Sequence, residues 1–511
     1  MGVPEEIRSV PRPKNTVVVP SGSGYRVRQR TGCRNIDGRR VPTDGGYIGS
    51  IIDGRYVPDT IPNAGSDGRV DIKYYGRVGF CDLLNRDVLE TLMDYYNEEE
   101  SRFIYCLAII RACYAGTRDY QVADRYGESF LSEMYPGLNM GKNNVSIRQR
   151  NIGKEYSRIR RFMRDRVARL EEDETLVIDG CLKQNHSRVD TLSQVSRKTA
   201  NRKHRDSLML YAYRTDTMEP ACSKLYQGNM VDSRAIRDFI DTNRISNGII
   251  VADKGFTASA VLEAIDGVDG LHYLLPLKED SLLIREHGMY DFDRTFFDDK
   301  TIQCKVVHTD GSWLYSFRDM DIARDEEESY LRDHSDPEDI LALDAMRKGF
   351  GTVVFQSDLE APPSKIHSMY RDRWLIELLF KFYQTELDLD DTRVHSDYSD
   401  IGSDFIDFLS ALMGSRMLNT FRDARATRDW TFKACMDFLE RAKKVRIDDS
   451  EEWEFARIPL KDAQILQELG IMGRVIVPIE IKKRGRPAGR KDSKPRKTRS
   501  DKGVKRTPPS E

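Results

Sequence analysis

The alternation of apolar and polar residues predicts an α/β organisation between residues 173 and 256. Apolar runs typical of strands occupy four segments, and a helix with an Asp/Ser cap signal precedes the last of them: Thr175–Ile178, Ser207–Tyr213, Ala221–Tyr226, about Asp232–Thr242 and Ile249–Ala252. Two strands connected through a helix are expected to be parallel, with a right-handed crossover. The strand that ends at Asp253 is therefore expected beside the strand that ends at Asp179, which would bring two carboxylates side by side.

The chain before this region follows two other patterns. Residues 1–80 are rich in Gly, Pro and Arg, with short apolar pieces between turn signals, and they predict a small β module. Residues 81–172 predict a helical region, expected to bind DNA or to dimerise, with helices over Leu83–Gly116 and about Asn144–Glu172. The second helix is strongly basic, and a basic run is either a solvated helix face or a DNA contact. Its basic residues are Arg148, Arg150, Lys154, Arg158, Arg160, Arg161, Arg164, Arg166 and Arg169.

The chain after this region predicts a β-rich insertion, residues 257–362, followed by helices. The insertion carries four strand-like runs and a charged helix: His272–Leu277, Thr301–His308, Trp313–Phe317, Thr352–Phe355 and about Ala323–Asp333. Residues 363–445 are expected to return to the α/β core, with helices over Ser364–Leu387, Asp404–Phe421 and Thr431–Lys443. A C-terminal segment, residues 446–481, and a basic tail, residues 482–511, follow.

The helix predicted over Ser364–Leu387 carries its polar residues on one narrow stripe. At about 100° per residue, this stripe consists of Tyr370, Arg373, Glu377, Lys381 and Gln384, and much of the remaining surface is apolar. A helix of this kind is expected to be buried, and buried charges are costly unless they are paired or line a site. Either Arg373 and Lys381 neutralise Glu377 along the helix, or the stripe belongs to a functional site.

The two aspartates and the helix glutamate together suggest a metal site. Asp179, Asp253 and Glu377 would supply the oxygen ligands that Mg²⁺ prefers. Two such ions about 4 Å apart can activate a water or a 3′-hydroxyl and stabilise the leaving oxygen in phosphodiester chemistry. Each aspartate alone is also a common turn residue at the end of a strand, so the prediction depends on the order of all three acids.

Composition narrows the class of protein. The 511 residues include 39% hydrophobic residues, enough for several folded domains, and no run of about 18 uncharged apolar residues predicts a transmembrane helix. The N-terminus lacks the apolar segment of a signal peptide, so a cytoplasmic protein without a membrane partner is expected. The eight cysteines form no C-x-x-C pair and predict reduced thiols rather than disulfides or zinc ligands. No nucleotide-binding glycine motif is present, so no nucleotide cofactor is expected.

The net charge of −2 conceals a strong asymmetry. The segment from Lys482 to Arg506 carries +11, whereas residues 1–481 carry −12. The tail has almost no apolar residues and is expected to be disordered when it is not bound. An acidic body with a basic tail indicates a nucleic-acid partner that the tail contacts.

Three motifs in this order resemble the DDE-type insertion-sequence transposases of the group with the Tyr-Arg-Glu-Lys signature. The motifs are Val177–Gly180 around the first aspartate, Asp253–Phe256 around the second, and Tyr370–Lys381, which contains the signature tyrosine, arginine and glutamate. The segment Glu219–Asp232 also resembles the strand-to-helix segment of that group. The resemblance covers about residues 170–420 well and residues 40–60 loosely.

This resemblance implies a ribonuclease H-like catalytic core over residues 173–256 and 363–445. It implies that Asp179, Asp253 and Glu377 are the catalytic metal ligands for Mg²⁺, with Mn²⁺ as a substitute. The implied activity is DNA strand cleavage and transfer at the terminal inverted repeats of a mobile element. Because two ends must be joined, at least a homodimer on DNA is implied, in the nucleoid of a prokaryote.

The sequence departs from the group at two positions. Gln384 occupies the final lysine position of the signature, and Cys181 follows the first aspartate where many relatives carry threonine. Neither departure removes a metal ligand, but the first removes a charged phosphate contact. The resemblance makes Tyr370, Arg373, Lys381 and Gln384 the expected DNA contacts of this helix.

Two further features suggest DNA contacts outside the metal site. The tail motif with Arg484 and Arg486 resembles the Arg-Gly-Arg-Pro core of an AT-hook, whose basic strand would enter the narrow minor groove of A·T sequences; the alternative is a polybasic tail that binds any phosphate. Trp313 lies in the insertion, where related transposases place an aromatic residue that stacks on a flipped base. The alternative for Trp313 is a core residue of a hairpin.

Three functions remain open from the sequence. A Mg²⁺-dependent DDE transposase accounts for all three acids and for the long insertion. A DNA-binding protein with an inactive nuclease core would use only the tail and the N-terminal module. Another nuclease with a ribonuclease H-like core is the third possibility.

Overall fold

A mixed sheet of ten strands forms the centre of the protein. The structure, a computed structural model, describes residues 3–22, 24–36, 39–58, 70–171, 174–196, 204–252, 262–263, 265, 268, 270–298, 300–334, 343, 346–389, 391–447 and 452–473. Within these ranges, the side chains of 34–36, 39–40, 58, 232–233, 252, 333 and 372–378 are not described. The mixed α/β class predicted from the sequence is confirmed.

The strands, numbered in chain order, fall into three sheets. Four belong to an N-terminal sheet: β1 (Thr16–Ser21), β2 (Gly24–Ile36), β3 (Arg39–Ile52) and β4 (Arg55–Pro58). A small sheet contains β5 (Val70–Tyr74), β16 (Lys443–Ile447) and β17 (Glu454–Phe455). The central sheet contains β6 (Thr175–Asn185), β7 (Asp206–Arg214), β8 (Pro220–Gln227), β9 (Asn247–Ala252), β10 (Gly270–Pro276), β11 (Arg294–Asp298), β12 (Lys300–Thr309), β13 (Ser312–Asp319), β14 (Thr352–Ser357) and β15 (Asp391–Thr392).

The helices pack around these sheets. The N-terminal half contains α1 (Glu5–Arg8), α2 (Gly76–Met93), α3 (Glu98–Cys113), α4 (Val122–Glu128), α5 (Leu131–Met134), α6 (Lys142–Lys154) and α7 (Tyr156–Val167). The remainder contains α8 (Asp232–Asn243), α9 (Leu282–Glu286), α10 (Met320–Asp333), α11 (Pro363–Thr385), α12 (Asp397–Asp423), α13 (Phe432–Leu439) and α14 (Leu460–Glu468). None of the helices within the described ranges has the length and hydropathy needed to cross a membrane.

The central sheet runs in the order β11-β12-β13-β14-β10-β9-β6-β7-β8, with β15 also paired to β6. Strand β6 is antiparallel to β7 and parallel to β9, with Ile178 opposite Ala252. The predicted parallel pairing of these two strands is therefore confirmed. Strand β9 is also parallel to β10, and β10 is antiparallel to β14, which joins the strands of the expected insertion to the same sheet.

The end of β6 and the pairing of β10 differ from the sequence prediction in this sheet. Strand β6 does not end at Asp179 but continues to Asn185, because β7 pairs with it from Leu176 to Gln184. The apolar run ends at Ile178 since the sheet is less covered beyond it, not because the strand stops there. The strand predicted over His272–Leu277 was expected in the insertion. It is β10, and it pairs in parallel with β9 of the central sheet. The domain boundaries as a whole stay predictions.

Two long predicted helices are each broken into two. The segment Leu83–Gly116 forms α2 and α3, because Asn97 begins a new helix by accepting a hydrogen bond from the Glu100 amide. The basic segment forms α6 and α7, which meet at Glu155 in a non-helical conformation. Helix α6 crosses α12 closely: a Cβ at Gly153 would lie 1.8 Å from the Tyr398 carbonyl oxygen. The hydrophobic period of a helix gives no information about such a crossing with a distant helix.

Three arginines of α7 have a role that neither alternative for the basic helix foresaw. Arg160 is 6% exposed and donates to the Ser223 carbonyl oxygen at 2.8 Å. Arg166 donates to the carbonyl oxygens of Ala221 and Pro220, and Arg164 donates to that of Thr242. These guanidinium groups are therefore used to attach α7 to strand β8 and helix α8, not to face solvent or DNA.

Candidate active site

Asp179 lies in the middle of β6, on the face of the sheet that the helices α11 and α12 cover. Its register partner on β7 is Tyr211, and directly opposite residues of an antiparallel pair share a face. The Tyr211 ring packs against Phe380 of α11 and Phe408 of α12, with centroid distances of 6.0 and 6.4 Å. The Asp179 carboxylate is half-exposed, and its Oδ1 accepts the Gly180 amide at 2.7 Å.

Among the described residues, the edge of β6 has no strand partner next to Asp179. Strand β9 ends at Ala252, opposite Ile178, and β15 pairs only with Gln184 and Asn185. Between these two partners, no strand of the described residues pairs with this edge of β6. Asp179 is the first residue of this stretch, directly after the register pair Ile178–Ala252.

Helix α11, which contains Glu377, packs across β6 and β9 on the same face as Asp179. An aromatic cluster fixes it there: the Tyr213 ring lies 5.2 Å from Phe380 and 5.9 Å from Tyr383. The Tyr383 hydroxyl is 2.6 Å from the Ser415 hydroxyl of α12. The backbone of α11 is thereby held over the strand that contains Asp179 and the strand that precedes Asp253 in the sequence.

The other predicted site residues are only partly described. Asp253, Arg484 and Arg486 lie outside the described residues, and so do the side chains of Arg373 and Glu377. Tyr370 is half-buried, with its ring 4.6 Å from that of Phe355 on β14. The structure therefore brings Asp179 and the backbone of the signature helix together, and it leaves the geometry of the three acids as a prediction.

Lys381 and Gln384 are both exposed on the last turns of α11. Their neighbours Leu379, Phe380, Phe382 and Tyr383 are buried. The burial of this part of the helix agrees with the predicted apolar surface, and the two polar residues of the stripe project away from it. Both side chains are thus accessible to a large partner.

Trp313 lies on β13 and is half-buried. Its ring centroid is 4.5 Å from that of His308, the residue opposite it on β12, with a tilt of 43° between the rings. Trp313 also packs against the main hydrophobic core. Trp313 is therefore partly a core residue, as the alternative interpretation expected. Its stacking on a DNA base stays a prediction.

Cys181 follows Asp179 on the same face of β6. Burial, followed by the charge of Asp179, raises the pKa of the Cys181 thiol to about 12. In the absence of a bound cation, the thiol is therefore protonated at neutral pH.

A buried ion network behind Asp179 was not foreseen from the sequence. Lys183, also on β6, is 1% exposed, and its Nζ lies 2.5 Å from Oδ2 of Asp407 on α12. Arg111 of α3 binds the other oxygen of Asp407 at 2.7 Å. The network links the strand of Asp179 to two helices. Aspartates at 400, 404 and 407 in an otherwise apolar helix were the available signal, because this spacing places all three on one face.

The acids near Lys183 have strongly raised pKa values. Burial raises the pKa of Asp404 to about 7, although Lys183 opposes this shift. Burial also raises the pKa of Asp190 to about 8, and its hydrogen bonds with Asp397 and Asp400 act in the same direction. The Asp400 Oδ2 accepts hydrogen bonds from Asn185 and Ser207. Asp190 is therefore mostly protonated at neutral pH, and Asp404 is partly protonated.

Asp404→Asn tests this protonation. The folded state holds a proton on Asp404 up to a pH of about 7, whereas the unfolded state releases it near its ordinary, lower pKa. The unfolding free energy of the wild type is therefore expected to fall as the pH rises through this window, and asparagine, which resembles the protonated acid, should remove this part of the fall. Lys183, Asp407 and Arg160 are the charged groups that affect Asp404. Urea unfolding at pH 5 and pH 8 measures the difference, and an equal fall in both proteins would contradict the protonation.

One of three comparisons with known proteins identifies a family that part of the chain matches. Residues 172–397 match the family described as the transposase DDE domain, and this range contains Asp179, Asp253 and Glu377. A solved structure of the piggyBac transposase synaptic complex with hairpin DNA is similar at 11% identity, over 72% of this chain and 80% of that chain, with a TM-score of 0.36. The comparison with curated protein sequences gave no match. Residues 172–397 thus match a transposase DDE domain, and this match confirms the DDE transposase predicted from the sequence.

Proposed function

We propose that this protein cleaves DNA strands and joins them at the terminal inverted repeats of a mobile element, with Asp179, Asp253 and Glu377 as ligands of Mg²⁺. One observation carries the proposal: β6 and β9 are parallel with Ile178 opposite Ala252, and α11 packs across both strands. Asp179 follows this register pair on β6, Asp253 is the residue after β9 in the sequence, and Glu377 belongs to the helix. All three acids would therefore meet at this edge of β6.

The proposed core is ribonuclease H-like. Strands β6, β7 and β8 form an antiparallel unit, α8 follows in the chain, and β9 returns parallel to β6. This order supports the fold that the family resemblance implies. The β-rich insertion extends the same sheet through β14, which leads directly to α11 and the glutamate.

The donor set of the proposed site fits a hard divalent cation. The Asp179 carboxylate is half-exposed on β6, directly after the end of the pairing with β9. Carboxylate oxygens are the ligands that Mg²⁺ and Mn²⁺ take. Mg²⁺ at such a site would lower the pKa of the attacking water or hydroxyl and stabilise the charge of the leaving oxygen.

The exposed end of α11 is proposed to hold the DNA backbone. Lys381 and Gln384 lie three residues apart and both are exposed, so one phosphate group or two adjacent ones can contact them. Tyr370, Arg373 and Trp313 are proposed as further contacts from the same helix and from the insertion. We propose a homodimer as the active form, because one reaction joins two ends.

Nicking of supercoiled plasmid DNA that carries the inverted repeats tests the proposed function. The purified protein is expected to convert the plasmid to open-circular and linear forms with Mg²⁺ or Mn²⁺ and to leave it intact with EDTA. Cleavage should map to the repeat ends. A protein that binds the plasmid but never cleaves it under these conditions would instead be the DNA-binding protein with an inactive core.

Lys381→Ala is expected to reduce strand cleavage more than Gln384→Ala. Lys381 can form a charge-assisted hydrogen bond with phosphate, about twice as strong as the neutral bond that Gln384 can donate. Gln384→Lys restores the residue of the family signature and is expected to be tolerated or mildly activating. Single-turnover cleavage of one pre-cut end substrate compares the three variants.

Lys365→Ala is the matched control for this series. Lys365 is exposed on the first turn of the same helix, far from Lys381, so its loss should leave cleavage unchanged. If Gln384→Ala proves the more damaging variant, the phosphate contact belongs to Gln384, and Lys381 only neutralises Glu377.

A further inference from the structure

The N-terminal sheet of β1–β4 has a small core of its own. Val10, Val18, Val27 and Ile51 are buried together, and Ile7 of α1 packs against them. All of these residues belong to the first 58 of the chain. One face of the sheet is therefore used to bury apolar side chains, and the helix α1 covers this face.

The opposite face of the same sheet carries an arginine–tyrosine cluster. Arg26 and Arg28 flank Val27 on β2, and successive residues of a strand point to opposite faces. Both guanidinium groups lie over the Tyr47 ring of β3, at 4.3 and 4.4 Å from its centroid. Tyr47 remains 40% exposed, and Arg28 lies directly opposite it in the register. We call this face, Arg26, Arg28 and Tyr47, the arginine face.

The charge of this module is opposite to that of the body. Residues 1–58 contain ten Lys and Arg residues against five Asp and Glu residues, whereas residues 59–481 carry a net charge of −17. The arginines Arg160, Arg164 and Arg166 of the body are used in internal hydrogen bonds. The net charge of the module thus complements DNA, whereas the net charge of residues 59–481 does not.

We propose that the arginine face of the N-terminal module binds the phosphate backbone of duplex DNA. This inference rests on the proposed function for the identity of the partner, and it adds a second contact outside the DDE domain. The aromatic ring holds two guanidinium groups in fixed positions, so less side-chain entropy is lost when they bind phosphate. Arginine is suited to this role because its planar group donates two parallel hydrogen bonds to a phosphate.

The dimensions of the sheet suit an extended contact. Strand β2 has 13 residues and β3 has 14, and at about 3.3 Å per residue such a ribbon is roughly 40 Å long. Adjacent phosphates of one strand are several ångströms apart, so the ribbon can contact several of them. Arg30, further along β2, lies opposite Asp44, so the contact is assigned to the part of the ribbon near Tyr47.

Arg28→Gln in the full-length protein tests the proposal. Binding of a fluorescent 30-base-pair duplex is measured in EDTA, so that no cleavage occurs, over a range of NaCl concentrations. Each lost phosphate contact should lower the slope of log K against log salt by about 0.9, and Arg26→Gln with Arg28→Gln should lower it by about twice as much. The basic tail contributes equally in every variant, so differences between variants report the module.

Arg8→Gln is the matched control, because Arg8 is exposed on α1, on the other side of the sheet. It removes the same charge from the same module and should leave the salt slope unchanged. An equal effect of Arg8→Gln and Arg28→Gln would overturn the proposal, since it would reflect net charge alone. So would a wild-type slope for Arg28→Gln.

Tyr47 provides a second and independent variant. Tyr47→Phe keeps the ring and should bind DNA as the wild type does, whereas Tyr47→Leu should weaken binding about two- to fivefold with the salt slope retained. Equal binding by Tyr47→Leu and Tyr47→Phe would contradict the role of the ring. Thermal unfolding of each variant identifies any loss of the folded module. If Tyr47→Leu unfolds the module, Arg28→Gln still tests the proposal.

These results separate the proposal from the proposed function. If the protein cleaves DNA in Mg²⁺ and Arg28→Gln has a wild-type slope, the arginine face is not the contact and the transposase function stands. If Arg28→Gln lowers the slope and the wild type does not cleave, the arginine face is supported and the catalytic proposal fails.

Discussion

Asp179→Asn is expected to abolish Mg²⁺-dependent cleavage while DNA binding stays nearly unchanged. The carboxylate lies on β6, directly after the end of the pairing with β9 and beneath α11. Asparagine has the same shape but loses the negative charge that holds the cation, so the fold is retained and the metal site is lost. Asp253→Asn and Glu377→Gln are expected to have the same effect if all three acids bind the metal.

Cleavage of a labelled end substrate and binding of the same DNA in EDTA measure the two effects separately. Asp216→Asn is a suitable control, because Asp216 is 55% exposed in the turn after β7 and faces no part of the proposed site. It should cleave as the wild type does. An Asp179→Asn protein with a wild-type cleavage rate would remove Asp179 from the set of ligands.

Lys183→Met is expected to destabilise the fold by about 3–5 kcal/mol. Methionine has a similar length but no charge, so Asp407 would retain only Arg111 as a partner, and Asp400 and Asp404 would lose their nearest buried cation. Breaking this buried pair from one side leaves more negative than positive charge in a low-dielectric interior, which is costly even though Arg111 remains. Urea unfolding at pH 7.5 measures the loss.

The double variant Lys183→Met with Asp407→Asn is the comparison for this prediction. It removes both buried charges of the pair and should recover part of the lost stability, because less unpaired charge remains. A loss below about 1 kcal/mol in the single variant would show that the buried lysine is not needed to balance the aspartates. The ion pair would then only position β6 against α12, with little contribution to the free energy of unfolding.

The central sheet was predictable because its signals are local. The apolar runs before Asp179 and Asp253, with a capped helix between strands, determine that β6 and β9 are neighbours and parallel. The alternating runs of the insertion likewise appear as β12, β13 and β14. Both predictions depend on a period of two residues and on chain connectivity, which the sequence contains directly.

The features that the sequence did not predict depend on contacts between distant segments. The break between α6 and α7 coincides with the close approach of Gly153 to α12, some 250 residues away in the chain. From the sequence, the arginines of α7 were interpreted as a solvent-exposed or DNA-binding face. In the structure, three of them donate to backbone carbonyl oxygens of β8 and α8. The pairing of Lys183 with Asp407 likewise joins two elements 224 residues apart.

The most direct test of the account is to locate the metal through protein cleavage. Fe²⁺ that replaces Mg²⁺ generates hydroxyl radicals with ascorbate and peroxide, and these cut the polypeptide near the bound ion. The account predicts cuts near Asp179, Asp253 and Glu377 together, all suppressed by excess Mg²⁺ and all lost in Asp179→Asn. Cuts near only one of the three acids, or cuts that persist unchanged in Asp179→Asn, would contradict a single metal site shared by β6, the segment after β9 and α11.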